Sequence, residues 1–348
     1  MGTNGQIGAR RDPVEVEEAV LSDRLRADPR HLASLLAMAV LKTRAGDDRA
    51  ALSFYKTALA VATQPGARVA PDLVPALRTG EAFIGAAQTR FAAHLSDALA
   101  DAGLADGRGG ARLRRGIDLL FGRGELFQQQ PSMFYFPELP QRQFFERDEF
   151  AWTASVEAQT APIRAELEAL MTRADGFAPY VGGSPDRPRP ANPLLDDSSW
   201  SAAYLWQQGT PVAAQAEHCP AAMRALAAAP MPRIDRRSPT ALFSLLRPGT
   251  HIRPHHGLLN TRLICHLPLI APPGCGLRVG NETREWREGE LTIFDDSFEH
   301  EAWNRGSETR VVLLFEIWRP ELTAEERAAL TRIFEAIDAY GGGGTDQG

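Results

Sequence analysis

At Thr240 the spacing of apolar residues changes, and this limits the available folds more than any other feature of the chain. Upstream, apolar residues recur at helical intervals. Downstream they form short runs set apart by Gly, Pro and Asp: Ala241–Leu246, Arg262–Ile270, Leu277–Val279, Thr283–Trp286, Leu291–Phe294 and Arg310–Trp318. Runs this short, closely punctuated by turn residues, read as strands of a barrel or two-sheet jelly roll. After Pro320, the Thr323-x-x-Glu326 pair is a capping-box signal for a helix reaching about Tyr340, and the Gly-rich tail 341–348 reads as disordered. The expected class is α+β, with a helical region leading into a β-barrel.

The helical region has a recognisable unit. Leu32, Leu35, Leu36 and Ala39 share one helical face, Gly46-Asp47 breaks the pattern, and Ala51, Phe54, Tyr55, Ala58 and Leu59 form a second face. Two such helices around a tight turn resemble a tetratricopeptide repeat. One repeat leaves its apolar face uncovered, so the segments Val14–Leu25 and Pro71–Leu104 are expected to flank it. The region is either a docking module for a protein partner or a helical pad. The Gly- and Arg-rich run Asp106–Arg115 reads as a linker, giving a helical region 1–108, a β domain 109–340 and a tail 341–348. A further helix is expected over Glu157–Arg173, followed by a Pro- and Gly-rich surface loop.

Composition excludes several functions. The net charge of -6 comes without a basic stripe, which argues against a nucleic-acid partner. No apolar run is long enough to span a bilayer, and Met1 to Arg11 lacks the apolar segment of a secretory signal. Cys219, Cys265 and Cys275 cannot all pair and read as reduced thiols, so a cytoplasmic location is expected.

Of the 8 histidines, His251, His255, His256, His266 and His300 fall within the β region. Imidazole suits iron, zinc or copper. Pro254 argues against a helical His251/His255 pair, and on a strand His255 and His256 would face opposite ways. Spacing alone leaves His255 only slightly ahead as a ligand.

The block FSLLRPGTHIRPHHGLLNTRLICHL, then NETREWREGELTIFDDSFEHEAWN and TRVVLLFEIWRPELT, resembles the aspartyl/asparaginyl β-hydroxylase family, and LWQQG at Leu205–Gly209 extends the match upstream. The resemblance implies a double-stranded β-helix using iron(II), 2-oxoglutarate and O2 to hydroxylate an unactivated C–H bond. Its iron ligands would be His255 and His300. Arg310 and Ser244 would take the distal carboxylate of 2-oxoglutarate, His266 would lie near its metal-binding end, and Arg262 would line the same pocket. Many such oxygenases carry an Asp or Glu two residues after the first histidine; here, as in the family, that position is glycine, Gly257. Asp295 and Asp296 are candidates for orienting a ligand or water there, or for plain turn residues.

The implied substrate is an Asp or Asn side chain of a peptide or protein. Animal members of the family use an arginine, two residues beyond the position of Arg262, to hold an acidic substrate; this chain has Ile264, which opens small-molecule and lipid substrates as alternatives. Two further readings are an inactive binding protein and a zinc hydrolase built on His251, His255 and His300.

Overall fold

In the computed structural model the described residues are 12–104, 110–174, 176–183, 188–189 and 191–340; the first residues and the expected tail 341–348 lie outside them. The chain divides into two compact units, Met1–Gly124 and Glu125–Gly348.

The first unit contains α1 (Pro13–Ala27), α2 (Leu32–Arg44), α3 (Asp48–Ala62), α4 (Val74–Asp101) and α5 (Gly110–Leu120). Side chains of Asp12, His31 and Asp47 cap α1, α2 and α3, supplying acceptors to the free amides of the first turns. Gly46 turns the chain between α2 and α3 at φ +72°. Leu35, Leu36, Ala39, Ala51, Tyr55 and Ala58 form the core with Leu77 of α4. Gly80 lets α4 close on α3, because a Cβ there would stand 2.7 Å from the Tyr55 ring. The run read as a linker is helical from Gly110: Leu113, Ile117 and Leu120 keep helical spacing that the Gly- and Arg-rich composition obscured.

The second unit contains β1 (Phe144–Phe145), α6 (Thr153–Glu157), α7 (Thr160–Met171), β2 (Ala178–Pro179), β3 (Trp200–Gln207), β4 (Thr210–Pro211), α8 (Ala213–Ala216) and α9 (Pro220–Ala228). Strands β5 (Ala241–Leu246), β6 (His251–His255), β7 (Arg262–Ile270), β8 (Cys275–Val279), β9 (Glu282–Glu285), β10 (Thr292–Phe294), β11 (His300–Asn304) and β12 (Arg310–Trp318) follow, and α10 (Ala324–Tyr340) ends the described chain. The larger sheet runs β1-β10-β7-β12-β5-β3-β2, with β4 beside β3; the smaller runs β6-β11-β8-β9. All of these pairings are antiparallel. The eight strands β5 to β12 cross from sheet to sheet as a double-stranded β-helix, the jelly roll expected from the sequence.

Side-chain alternation divides the larger sheet into two faces. Leu263, Cys265, Leu267 and Leu269 of β7, with Val311, Leu313, Phe315 and Ile317 of β12, pack on α6, α7 and α9. The alternate residues point between the sheets, where Ile264 and Phe294 meet Ile252, Leu277 and Ala302 of the smaller sheet. Six strands escaped the reading of apolar runs: the two-residue β1, β2 and β4, and the longer β3, β6 and β11. The Thr323–Glu326 capping box is formed in both directions, Thr323 N–H donating to Glu326 at 2.7 Å and Glu326 N–H to Thr323 Oγ1 at 3.2 Å. Among the described residues no helix is long and apolar enough to cross a membrane, and all three cysteines are buried and unpaired.

Candidate active site

A cavity of about 170 Å³ opens between the two sheets. Strand register fixes its layout. His300 of β11 pairs directly with His255 of β6, and the ring centroids lie 4.1 Å apart. Each Nδ1 faces a backbone carbonyl, His255 that of Arg253 at 2.8 Å and His300 that of Phe298 at 3.0 Å. A carbonyl only accepts, so both Nδ1 atoms carry the proton and both Nε2 atoms keep a lone pair free. Burial, reinforced by the neighbouring imidazole of His255, lowers the pKa of His300 to about 3; burial also lowers that of His255. Two neutral imidazoles with free Nε2 atoms could together hold a cation.

His251 is not brought to them. Its ring is half exposed and its Nε2 lies 2.6 Å from Glu301, and among the described residues no group of three or more His, Cys, Asp or Glu side chains converges as a metal set. His256 does line the cavity beside His255; β6 ends at His255, so strand alternation no longer sends its neighbour outward.

Arg310 is 1% exposed and has no carboxylate within ion-pair distance among the described residues. Its Nη1 donates to the Ser244 carbonyl at 3.1 Å and lies 3.4 Å from Ser244 Oγ, which also accepts from Trp200 Nε1 at 3.3 Å. The guanidinium lies over Trp286, 4.6 Å from the ring centroid. Burial without a counter-charge pulls its pKa down to about 10. Arg310 Nε, His266 Nδ1 and Trp286 Nε1 are all buried without a hydrogen-bond partner. His266 is held well below its usual range by burial, with Arg310 and His300 adding to the effect.

Arg262 lines the cavity and carries its own counter-charges. Glu316 holds its Nη1 at 2.5 Å and Asp296 approaches its Nη2 at 3.4 Å, so it is already neutralised. Glu316 therefore serves Arg262 and the Thr240 amide (2.9 Å), and not Arg310. The Asp pair also splits. Asp295 is fully buried, bonded to Arg319, Gln129 and Ser297, and holds the fold. Asp296 faces the cavity, its Oδ1 unpartnered and its pKa raised to about 6 by burial against the pull of Arg262. Its carboxylate fills the space beside Gly257, where a Cβ would stand 2.2 Å from Oδ2. Sequence reasoning missed Tyr180, stacked on Trp200 at 4.1 Å, and Arg237, another cavity residue. Neither carries a motif: Tyr180 precedes a Pro- and Gly-rich loop and Arg237 lies in an ordinary polar turn.

A family model described as Aspartyl/Asparaginyl beta-hydroxylase matches residues 157–320, which include every residue of this cavity. Over this stretch the chain is similar to that family. The human aspartyl/asparaginyl beta-hydroxylase is 38% identical over 180 residues, 51% of this chain but 22% of that protein. Human aspartate beta-hydroxylase domain-containing protein 2 is 35% identical over 210 residues, 59% of this chain and 55% of the relative. The ornithine lipid ester-linked acyl 2-hydroxylase of Rhizobium tropici is 34% identical over 174 residues, 49% of this chain and 58% of the relative. The chain thus spans between about a fifth and three fifths of these relatives. Among solved structures, the Schizosaccharomyces pombe Cnp3 cupin domain covers 43% of this chain at 9% identity, with a TM-score of 0.25 that supports no inference. The cavity has two distinct ends. On β12, Arg310 and Glu316 share the inward face six residues apart, about 20 Å of strand.

Proposed function

We propose that the protein is an iron(II)- and 2-oxoglutarate-dependent hydroxylase, with His255 and His300 holding the metal and Arg310 anchoring the cosubstrate. The observation that carries this reading is a buried guanidinium without a carboxylate of its own, in the same cavity as two imidazoles with free Nε2 atoms. An unpaired buried charge is costly, and a dicarboxylate would compensate it; the planar fork of Arg310 suits a carboxylate bidentately. Ser244 Oγ and His266 Nδ1 supply polar contacts on either side, and Trp286 closes the back of the pocket. Arg262, fixed by Glu316 and Asp296, stiffens the opposite end. Asp296, with one oxygen unpaired, stands where a side chain at Gly257 would have been and would accept a hydrogen bond from water beside the metal.

Bound iron(II) supplies the activation of O2, coupled to conversion of 2-oxoglutarate into succinate and carbon dioxide while one oxygen atom enters the substrate C–H bond. The protein's part is to orient the cosubstrate through Arg310, keep the imidazoles neutral by burial, and shield the site from water with its apolar walls. The substrate is either an Asp or Asn side chain, as the name of the human relative suggests, or a lipid or small molecule, as the name of the Rhizobium tropici relative suggests. The N-terminal unit reads as tetratricopeptide-like, either a docking module for a protein partner or a helical pad.

Purified protein with iron(II) and 2-oxoglutarate should form succinate slowly without substrate, and His300→Ala should form none. Metal titration should give one site per chain in the wild type and a large loss of affinity in His300→Ala. No succinate from the wild type would leave the binding-protein reading in its place, and unchanged succinate formation by His300→Ala would remove His300 as a metal ligand.

A further inference from the structure

We propose that Arg237 reads the substrate, and that it takes the uncharged carbonyl oxygen of an acyl amide or ester whose aliphatic chain lies in the cavity. This rests on the reading of the cavity as a hydroxylase site and names the substrate class for it.

Arg237 sits in a turn closed by two backbone bonds, Ile234 N–H to Ser238 O and Ser238 N–H to Ile234 O, both 2.9 Å, with Arg236 at φ +60°. Its side chain is 7% exposed and lines the cavity. Asp338 of α10 takes two edges of the guanidinium, accepting from Nε at 2.9 Å and also from Nη2. The guanidinium lies over the Phe334 ring, 5.1 Å from its centroid, and Nη1 has as hydrogen-bond acceptor the Met133 thioether, 3.4 Å away, which is a weak one. A strong, nearly buried donor therefore lines the cavity with hydrogen-bonding capacity left on Nη1, while Asp338 has already cancelled its charge.

The charge inventory decides what this donor prefers. Three arginines line the cavity: Arg237 is paired with Asp338, Arg262 with Glu316 and Asp296, and Arg310 lies at the far end of β12. Among the described residues this end holds two guanidiniums against three carboxylates. A carboxylate substrate would find no uncompensated cation here, whereas a neutral carbonyl oxygen finds the Arg237 donor. Between the two ends the inward faces of β7 and β12 present Ile264 and Leu314, which suit an alkyl segment. Met133, beside Arg237, is a large apolar residue 39% exposed, as a chain delivered by an amphiphile requires.

The test is binding by the full-length protein with 2-oxoglutarate present to fill the Arg310 end and oxygen excluded. The probes are a medium-chain N-acyl amide, the matching alkyl ether, the free fatty acid and an Asp-containing peptide. The amide should bind about tenfold more tightly than the ether. The acid and the peptide should bind more weakly than the amide. Arg237→Met should remove the amide–ether difference. Asp338→Asn, which restores a net charge to Arg237, should improve binding of the acid by about tenfold. Equal binding of amide and ether by the wild type, or tightest binding of the acid or peptide, overturns the proposal; so does an Asp338→Asn variant with no gain for the acid. If Arg237→Met does not fold, the wild-type series and Asp338→Asn still decide. Presenting the amide as a soluble compound and within phosphatidylcholine vesicles separates a free acyl compound from a membrane lipid, and binding to neither sinks the idea. Succinate formation without probes judges the hydroxylase reading separately.

Discussion

At the scale of single residues, the cavity trades stability for binding, most plainly at Arg310. A buried guanidinium with Ser244 and an indole face for company is under-compensated. Arg310→Met keeps the length and removes the charge. It should melt at or above the wild-type temperature without ligand, while the rise in melting temperature on adding 2-oxoglutarate disappears. A drop of several degrees in the unliganded variant would show instead that Ser244 and Trp286 compensate the charge by themselves. Gly257 makes the complementary case. From the sequence it reads as a missing ligand; in the fold its space is occupied by the Asp296 carboxylate. Gly257→Ala should cost about 1–3 kcal/mol in denaturant unfolding, since Asp296 is buried and paired with Arg262 and has little room to yield. In an Asp296→Ala background the cost should shrink by at least about 0.5 kcal/mol. Strictly additive effects would mean that the two side-chain positions do not compete for space.

At the scale of elements, legibility followed burial. The inner strands β5, β7 and β12 are covered on both faces, so Ala241–Leu246, Arg262–Ile270 and Arg310–Trp318 appear in the sequence as unbroken apolar runs and their ends were read correctly. Strands β6 and β11, which carry His255 and His300, belong to the smaller sheet, whose outer face is half open. There HIRPH alternates polar with apolar and Pro254 looks like a strand breaker, while HEAWN has only Ala302 and Trp303 between polar residues, so neither registered as a strand. The two imidazoles were therefore found through the family resemblance, and only the register of β6 on β11 shows why they meet. Helix α10 was legible from its capping box, but its role was not: the sequence gives no hint that Phe334 packs on Phe134 or that Asp338 reaches Arg237. Phe334→Ala should cost about 3–5 kcal/mol, as truncation of a fully buried aromatic ring does. Ile333→Ala, one position along and 43% exposed, should stay within about 0.5 kcal/mol. Similar losses for both would mean that α10 is stabilised by its own propensity more than by the face it buries.

At the scale of the whole molecule, every apolar cluster belongs to one unit or the other. Leu21 to Leu77 supply the helical core, and Leu139 to Phe334 supply those of the β unit. A unit with its own closed core meets the physical condition for folding alone, and the cavity draws all of its lining from Glu125–Gly348. The reading of 106–115 as a linker misplaced the junction because it weighed glycines above the leucine spacing; with α5 assigned to the helices, the division falls after Gly124. The fragment 125–348 should therefore unfold cooperatively and bind metal and 2-oxoglutarate with affinities within about threefold of the full chain, a difference under about 1 kcal/mol. Calorimetry on the full chain should in turn show a transition absent from the fragment, belonging to the helices. A fragment that is folded but binds neither ligand would mean that the helical unit completes the site, and then the two imidazoles and Arg310 would not be sufficient to form it.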